Sequence, residues 1–357
     1  MNHNNRLQKL RQVFSGKEID AILISQPENR YYLSGFNGSS GYLLITSQNT
    51  VLVTDSRYTE QARTQAPDYD IIQMQNNMTD WLPCLTTELN VRTLGFEAGD
   101  ITFTLYRRLA DALKPANLIL TPVDGLVESL RAVKEPEEIG FITKAAEMTD
   151  RAMEHIEELI HPGISEKEVA WGIEKFLRER GSQPLPFEVI VASGPNAALP
   201  HAKPSPRTIC TGEPVVIDIG ARYRGYISDL SRTFCVGVPD DTFKKVYDAV
   251  LGAQLAALAI MREGMTGDGA DSLARTVIEQ TGYGEAFGHA LGHGVGLASH
   301  EPPRLGPKSA DILTSGMVFS VEPGIYLSGW GGVRIEDLVT IENGNVNVIS
   351  KARKVVA

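Results

Sequence analysis

The second part of the chain repeats itself, and that repetition limits the possible folds more than any other feature. "HPGISEKEVAWGIEKFLRERG" and "REGMTGDGADSLARTVIEQTG" align so that Gly163 and Gly264, and likewise Gly181 and Gly282, lie 101 residues apart. Ser165 and Thr266 stand where a helix N-cap belongs. Apolar residues recur at Phe176/Val277 and Leu177/Ile278. Each copy reads as helix, tight turn, capped helix and glycine stop. Further on, "GEPVVIDIG" (212–220) and "GMVFSVEPG" (316–324) share glycine, strand, acid, one residue and glycine at an offset of 104. "GYISD" (225–229) and "GVRIE" (332–336) share a glycine four residues before an acid at an offset of 107. With 33 glycines in the chain, any one match is chance, but three in the same order are not. We read two copies of an α-α-β-β unit that pair into one pseudo-symmetric domain.

Upstream, short strands alternate with helices. "AILIS" (21–25), "GYLLIT" (41–46) and "TVLVTD" (50–55) are aliphatic or β-branched runs bounded by turn residues. "SRYTEQARTQA" (56–66) and "TLYRRLADALK" (104–114) read as helices, the second with apolar positions at helical spacing. The charged stretch "RAVKEPEEIG" then leads into a long amphipathic helix, "FITKAAEMTDRAMEHIEELI". The expectation is an α+β chain of two domains: a smaller α/β domain over 1–130 and the duplicated domain over 131–357.

The duplication also locates the chemistry. Each half supplies two acids on adjacent strands: Asp218 and Asp229 from the first, Glu322 and Glu336 from the second. A carboxylate within an apolar run such as "VVIDIG" is costly to bury unless it is paired or metal-bound. Four of them meeting across a symmetry axis repel one another, and two divalent cations cancel that charge. "GHALGHGVGLASHEPP" (288–303) adds His289, His293 and His300. The His-x3-His spacing of the first two suggests a helical metal clamp, but Gly292, Gly294 and Gly296 disfavour a helix. Alternating glycines suit an extended segment closely approached by another backbone or a ligand. One histidine with four carboxylates makes a hard, oxygen-rich site suited to manganese, cobalt, iron or zinc.

Other signals are bland. Ser193 and Ser320 lack the nucleophile-elbow pattern, and His155 and His161 read as surface residues. His3 reads as part of a frayed terminus. Asp55, Arg57 and Tyr58 are explained by turn and helix-start chemistry. The net charge of −10, with no basic cluster, disfavours a nucleic-acid surface. No apolar run reaches the ~18 residues of a membrane span, and the polar start has no signal-peptide core. Three widely spaced cysteines (Cys84, Cys210, Cys235) suit buried thiols in a reducing compartment. A cytoplasmic protein is the expectation.

"VVIDIGARYRGYISDLSRTF", "GHGVGLASHEPP", "VFSVEPGIY" and "GGVRIED" together resemble the pita-bread metallopeptidases, the family of methionine aminopeptidase, aminopeptidase P and prolidase. The resemblance covers residues 135–357. The first ~130 residues resemble the creatinase-type N-terminal domain of aminopeptidase P and prolidase. "SGFNGSSGYLLIT" followed by "VTDSRYTEQA" looks closer to bacterial aminopeptidase P-like proteins. The resemblance implies two divalent ions per chain, manganese first and cobalt, zinc or iron as alternatives, held by Asp218, Asp229, His293, Glu322 and Glu336. Asp229 and Glu336 would bridge them, Asp218 would complete one, and His293 with Glu322 the other. It further implies roles toward substrate or proton for His201, His289 and His300, with Tyr326 and Arg334 supporting them. The expected activity is removal of an N-terminal residue that precedes proline, through a metal-bridging hydroxide. Glu322 would move the proton, and His300 or His201 would meet the oxyanion. A prolidase acting on Xaa-Pro dipeptides is the alternative. A metal-free creatinase-like hydrolase or a non-catalytic binding protein would be expected to have lost ligands that are intact here. A homodimer that binds peptides, not nucleic acid or membrane, completes the expectation.

Overall fold

The computed structural model describes residues 2–354, and the chain divides into two compact units between Arg131 and Ala132. The first unit is built on a six-stranded sheet. Its strands are β1 (Ala21–Ile24), β2 (Tyr42–Thr46), β3 (Thr50–Thr54), β4 (Asp70–Gln73), β5 (Thr93–Glu97) and β6 (Ile119–Val123), in the order β4-β3-β2-β1-β5-β6. β1, β2 and β3 form an antiparallel meander, while β4, β5 and β6 join in parallel. β1 is buried at every position, which is why its sequence is a continuous aliphatic run rather than an alternating one. The helices are α1 (His3–Ser15), α2 (Pro27–Ser34), α3 (Thr59–Gln65), α4 (Met78–Glu88), α5 (Phe103–Leu113) and α6 (Leu126–Ala132).

Three sequence expectations are corrected by the structure. His3 is not frayed: it opens α1, and its Nδ1 lies 3.1 Å from the carbonyl of Tyr32, which also accepts from Arg6 Nη1 at 3.0 Å. The carbonyl-rich end of α2 thereby ties the first residues of α1 down. The helix over 56–66 starts later, at Thr59, because Asp55 accepts from the backbone and the guanidinium of Arg57 and holds a turn there. Of the cysteines only Cys235 is buried; Cys84 and Cys210 are exposed, and all three are free.

In the second unit the duplicated helices are α7 (Pro136–Leu159) with α8 (Glu166–Glu179), and α9 (Asp241–Ile260) with α10 (Gly267–Gln280). α7 begins before the expected Phe141, since Pro136 takes its first turn and Glu135 with Glu138 closes a capping box. Ser165 and Thr266 each cap the third backbone N–H that follows them. Gly163 and Gly264 have φ of 92° and 85°, and Gly181 and Gly282 have 90° and 86°. The repeat therefore extends to backbone conformation that only glycine adopts at low cost. Leu177 and Ile278, both 0% exposed, bury the same face of α8 and α10 in two separate apolar clusters.

Each half carries its own sheet. The first contains β7 (Ile190–Ser193), β8 (Pro214–Ile219) and β11 (Leu230–Cys235), in the order β11-β8-β7, with the short ribbon β9 (Arg222–Tyr223) and β10 (Tyr226–Ile227) inserted between β8 and β11. The second contains β12 (Gly292–Gly294), β13 (Glu301–Leu305), β14 (Val318–Val321), β17 (Asp337–Glu342) and β18 (Asn345–Val348), in the order β13-β12-β14-β17-β18. Its inserted ribbon is β15 (Gly324–Leu327) with β16 (Gly331–Arg334). The expected acid-bearing neighbours are present, β8 beside β11 and β14 beside β17, but each pair is joined through a second hairpin. That insertion places one acid of each pair before the ribbon and one after it.

Because Ser165 and Thr266 each cap one helix start, Ser165→Ala and Thr266→Ala should each lower stability by about 1 kcal/mol. Urea unfolding followed by circular dichroism measures this, and a loss at one site alone would break the equivalence of the two copies.

Candidate metal centre

Asp218 lies near the end of β8, and Asp229 immediately precedes β11. Glu322 follows β14 directly, and Glu336 immediately precedes β17. The halves meet here through backbone and side chain together. Glu336 N donates to Ser231 O at 3.1 Å, and Ser231 Oγ donates to Glu336 Oε2 at 2.7 Å. Arg334 N donates to Thr233 Oγ1 at 2.9 Å, and Thr233 donates back to the Arg334 carbonyl at 3.0 Å. Arg232 reaches from β11 to Asp337 at 2.7 Å and to the carbonyl of Glu336.

Asp218, Asp229 and Glu336 each offer an oxygen within 4.8 Å of the others. Burial, reinforced by the neighbouring carboxylates of Glu336, Asp218 and Glu322, raises the pKa of Asp229 well above the ordinary range. Burial and the charges of Glu322 and Asp218 do the same to Glu336. Asp218 is relieved by Arg334, whose Nη2 donates to Oδ2 at 2.7 Å, but its Oδ1 is buried with no hydrogen-bond partner among the described residues. An orphaned carboxylate oxygen beside two strained carboxylates fits a cation-binding site.

Glu322 stands apart from that triad and faces His293, with Oε1 3.3 Å from Nε2. The Nδ1 of His293 lies 3.2 Å from the carbonyl of Gly294, so Nδ1 carries the proton and Nε2 offers its lone pair. Two acceptors face to face need a proton or a cation between them. With only a proton available, burial opposes ionisation, but the His293 hydrogen bond and charge prevail and hold Glu322 at about 2. His293 itself is raised by Glu322 against its burial. The donor set thus has two parts, an all-oxygen triad and a His–Glu pair, and both fit divalent metal ions.

The other expected residues surround this centre. Tyr326 OH accepts from Arg334 Nη1 at 2.9 Å and lies 3.0 Å from His289 Nε2. His289 Nδ1 meets the carbonyl of Ala290 at 2.8 Å, so both of its ring nitrogens are engaged, and burial lowers its pKa. His300 stacks on His293 with ring centroids 3.9 Å apart. His201 is exposed in the loop that enters β8 and lines the same cavity of about 800 Å³ as His289, His293 and His300. Phe187, Val189, Ile190 and Pro200 supply its apolar wall.

The glycine run behaves as an extended segment under close approach. A Cβ on Gly292 would stand 2.0 Å from the carbonyl oxygen of Ser320, and one on Gly294 2.2 Å from that of Pro302. Ser320, which lacks a nucleophile motif, accepts from His293 N at 3.1 Å and donates to Glu322 Oε1 at 2.9 Å, so it fixes both halves of the His–Glu pair. Sequence reasoning missed that role and also Ser231, whose only signal is its place two residues after Asp229. It missed Arg304 too, which lines the cavity; its backbone N–H donates to Asp311 Oδ2 at 2.7 Å and its Nη1 to the Pro307 carbonyl at 3.0 Å, while its guanidinium pairs with no carboxylate among the described residues.

In chelator-treated protein the folded state retains protons on Asp229 and Glu336 at pH values where an unfolded chain, with carboxylates near about 4, has lost them. Stability therefore falls as pH rises from that range through the raised folded values. Glu322 runs the other way, but its contribution is complete above its ordinary value of about 4.3. His289 and His300, lowered by burial, work against this fall below their ordinary value of about 6.5 and no longer above it, so thermal melts from about pH 6.5 to about pH 8 should show a falling midpoint, with a shallower slope in Asp229→Asn. A midpoint that climbs over that range contradicts the assignment.

Comparison with known proteins bears on the family and the fold. Residues 140–343 match the profile of metallopeptidase family M24, and residues 6–133 match the creatinase/prolidase N-terminal domain. A solved structure of an Xaa-Pro dipeptidase from Bacillus anthracis is 42% identical, with a TM-score of 0.96 and 99% of each chain covered. An X-Pro aminopeptidase structure from Thermotoga maritima is 37% identical, with a TM-score of 0.87 over 96% of this chain and 99% of that one. An Xaa-Pro dipeptidase of Pyrococcus horikoshii is 36% identical over 99% of both chains. The pita-bread fold behind a smaller creatinase-like domain, expected from the resemblance, is the fold these findings support.

Proposed function

The chain belongs to metallopeptidase family M24, and from that premise we propose that it hydrolyses the bond before proline, with Xaa-Pro dipeptides as its main substrates. The observation that carries the proposal is the buried Asp218–Asp229–Glu336 triad beside the His293–Glu322 pair, set in a cavity with an apolar wall. Those five residues would hold two divalent ions, and the oxygen-rich donor set suits manganese. Such ions, when bound, lower the pKa of water toward neutrality and polarise a carbonyl.

The chain's own residues supply the rest. Glu322, kept ionised, accepts the proton of the attacking water and returns it to the departing prolyl nitrogen. His300 and His201 hydrogen-bond the oxygen on which negative charge develops. Arg334, braced by Tyr326 and through it by His289, holds Asp218 in place. The apolar wall receives the proline ring, whose nitrogen has no N–H for ordinary backbone recognition. Asp218 and its acidic neighbours attract the substrate's free amine. Three unpaired cysteines suit a reducing compartment such as the cytoplasm.

The sequence alone favoured an aminopeptidase. Arg304 favours the alternative: a guanidinium on the cavity wall with no acidic partner among the described residues suits the free carboxylate of a dipeptide. The dipeptidase names of the Bacillus anthracis and Pyrococcus horikoshii relatives support the same choice. The Thermotoga maritima relative is the support for the aminopeptidase reading.

Manganese-loaded protein incubated with Ala-Pro and with Ala-Pro-Ala, products read by mass spectrometry, should cleave the dipeptide faster. Equal or faster cleavage of the tripeptide would turn the proposal toward an aminopeptidase, and cleavage of neither would end it. Glu322→Ala should lower kcat by more than about 100-fold, and wild-type turnover in that variant under excess manganese contradicts its role.

A further inference from the structure

Lys134 Nζ lies 2.8 Å from Glu301 Oε1, and the two side chains are 1% and 2% exposed. An ion pair this deep seldom stabilises a protein more than apolar side chains of similar size would. Its position shows what else it does. Glu301 follows His300 and opens β13. His293 pairs with Arg304 across β12 and β13 whereas Gly294 pairs with Glu301, so the register shifts between those two residues. Beyond Val295, whose N–H still donates to the Val318 carbonyl of β14 at 3.1 Å, the chain leaves the sheet in a tight excursion that carries His300 back onto the ring of His293.

That excursion is folded around the Glu301 carboxylate. Ala298 N donates to Oε2 at 3.4 Å, and a Cβ on Gly296 would stand 2.2 Å from Oε1. Its internal backbone support includes Gly296 N to Ala298 O at 3.2 Å. Lys134 is fixed from the other side. Its N–H donates to Gly316 O at 2.9 Å, and the preceding Val133 forms a β-bridge with Met317, at the entry to β14, the strand that Glu322 follows.

We propose that Lys134 and Glu301 are positioning residues: their buried ion pair sets the 296–300 excursion so that His300 faces the substrate from above His293. The inference rests on the peptidase reading for its catalytic consequence, but not for its geometry. Lys134→Met alone strands a buried carboxylate and can unfold the domain, so the deciding variant is Lys134→Met/Glu301→Leu, with Lys134→Arg as the conservative control. The double variant should keep the wild-type melting midpoint and manganese content. Its kcat on Ala-Pro should fall by at least about tenfold with KM little changed, as expected for a displaced catalytic group. Lys134→Arg should retain most of the wild-type kcat.

Diethyl pyrocarbonate labelling, mapped by peptide mass spectrometry, gives a readout independent of turnover. His300 should change its labelling rate severalfold in the double variant, while exposed His161 does not. Wild-type kcat together with wild-type His300 labelling in the double variant overturns the proposal. Altered His300 labelling in a series whose wild type never cleaves Ala-Pro supports the positioning role and defeats the peptidase reading instead.

Discussion

The structure depends on one electrostatic constraint: four carboxylates are drawn into one cavity wall, with Arg334 the guanidinium that reaches one of them directly. Burial and mutual repulsion push Asp229 and Glu336 toward their neutral forms. Left alone, such a cluster would favour a chain that opened and let water in. The surrounding hydrogen bonds resist that. Ser231 holds Glu336, Ser320 holds Glu322, and Thr233 and Arg232 bind the two halves along the line where the acids meet. A fold that organises so many groups around uncompensated charge is a fold built for cations.

The duplication explains how one chain brings four acids together. Each copy sets two strands side by side and inserts a ribbon between them, so an acid at each strand end comes to the centre. The scaffold is symmetric, but the chemistry is not. The first half contributes shorter aspartates, while the second contributes longer glutamates and the histidine segment. Elsewhere the copies also diverge. Glu166, at the start of α8, accepts from Ser193, Asn196 and Ser205 and ties down the loop that carries His201. At the equivalent place in α10 stands Gly267, where a Cβ would meet the carbonyl oxygen of Arg304 at 2.0 Å. One half grips the His201 loop with a carboxylate, and the other lets strand β13 press against bare backbone.

What was legible in the sequence was what repeats or obeys a local rule. The capped helices, the glycine stops and the four acids could be read because the same physics was written twice. The glycines of "GHGVG" were readable as a place for close approach, since Gly292 and Gly294 leave room for a neighbouring carbonyl and Gly296 for the Glu301 carboxylate. The contacts between distant residues were not legible. Ser320 is an ordinary strand residue until Glu322 and the His293 backbone close on it, and the Lys134–Glu301 pair joins positions that no local pattern connects. The docking of His3 against α2 belongs to the same class. Local propensity places elements, whereas long-range packing decides which polar groups they trap.

The central claim, that buried charge here is matched by bound cations, is tested most directly by counting them. Protein dialysed against manganese and passed through a desalting column should retain about two ions per chain by elemental analysis, as a dinuclear site requires. An Asp229→Asn/Glu336→Gln variant should retain none. A wild-type protein that leaves the column with less than one ion per chain, no more than the variant, would contradict the account.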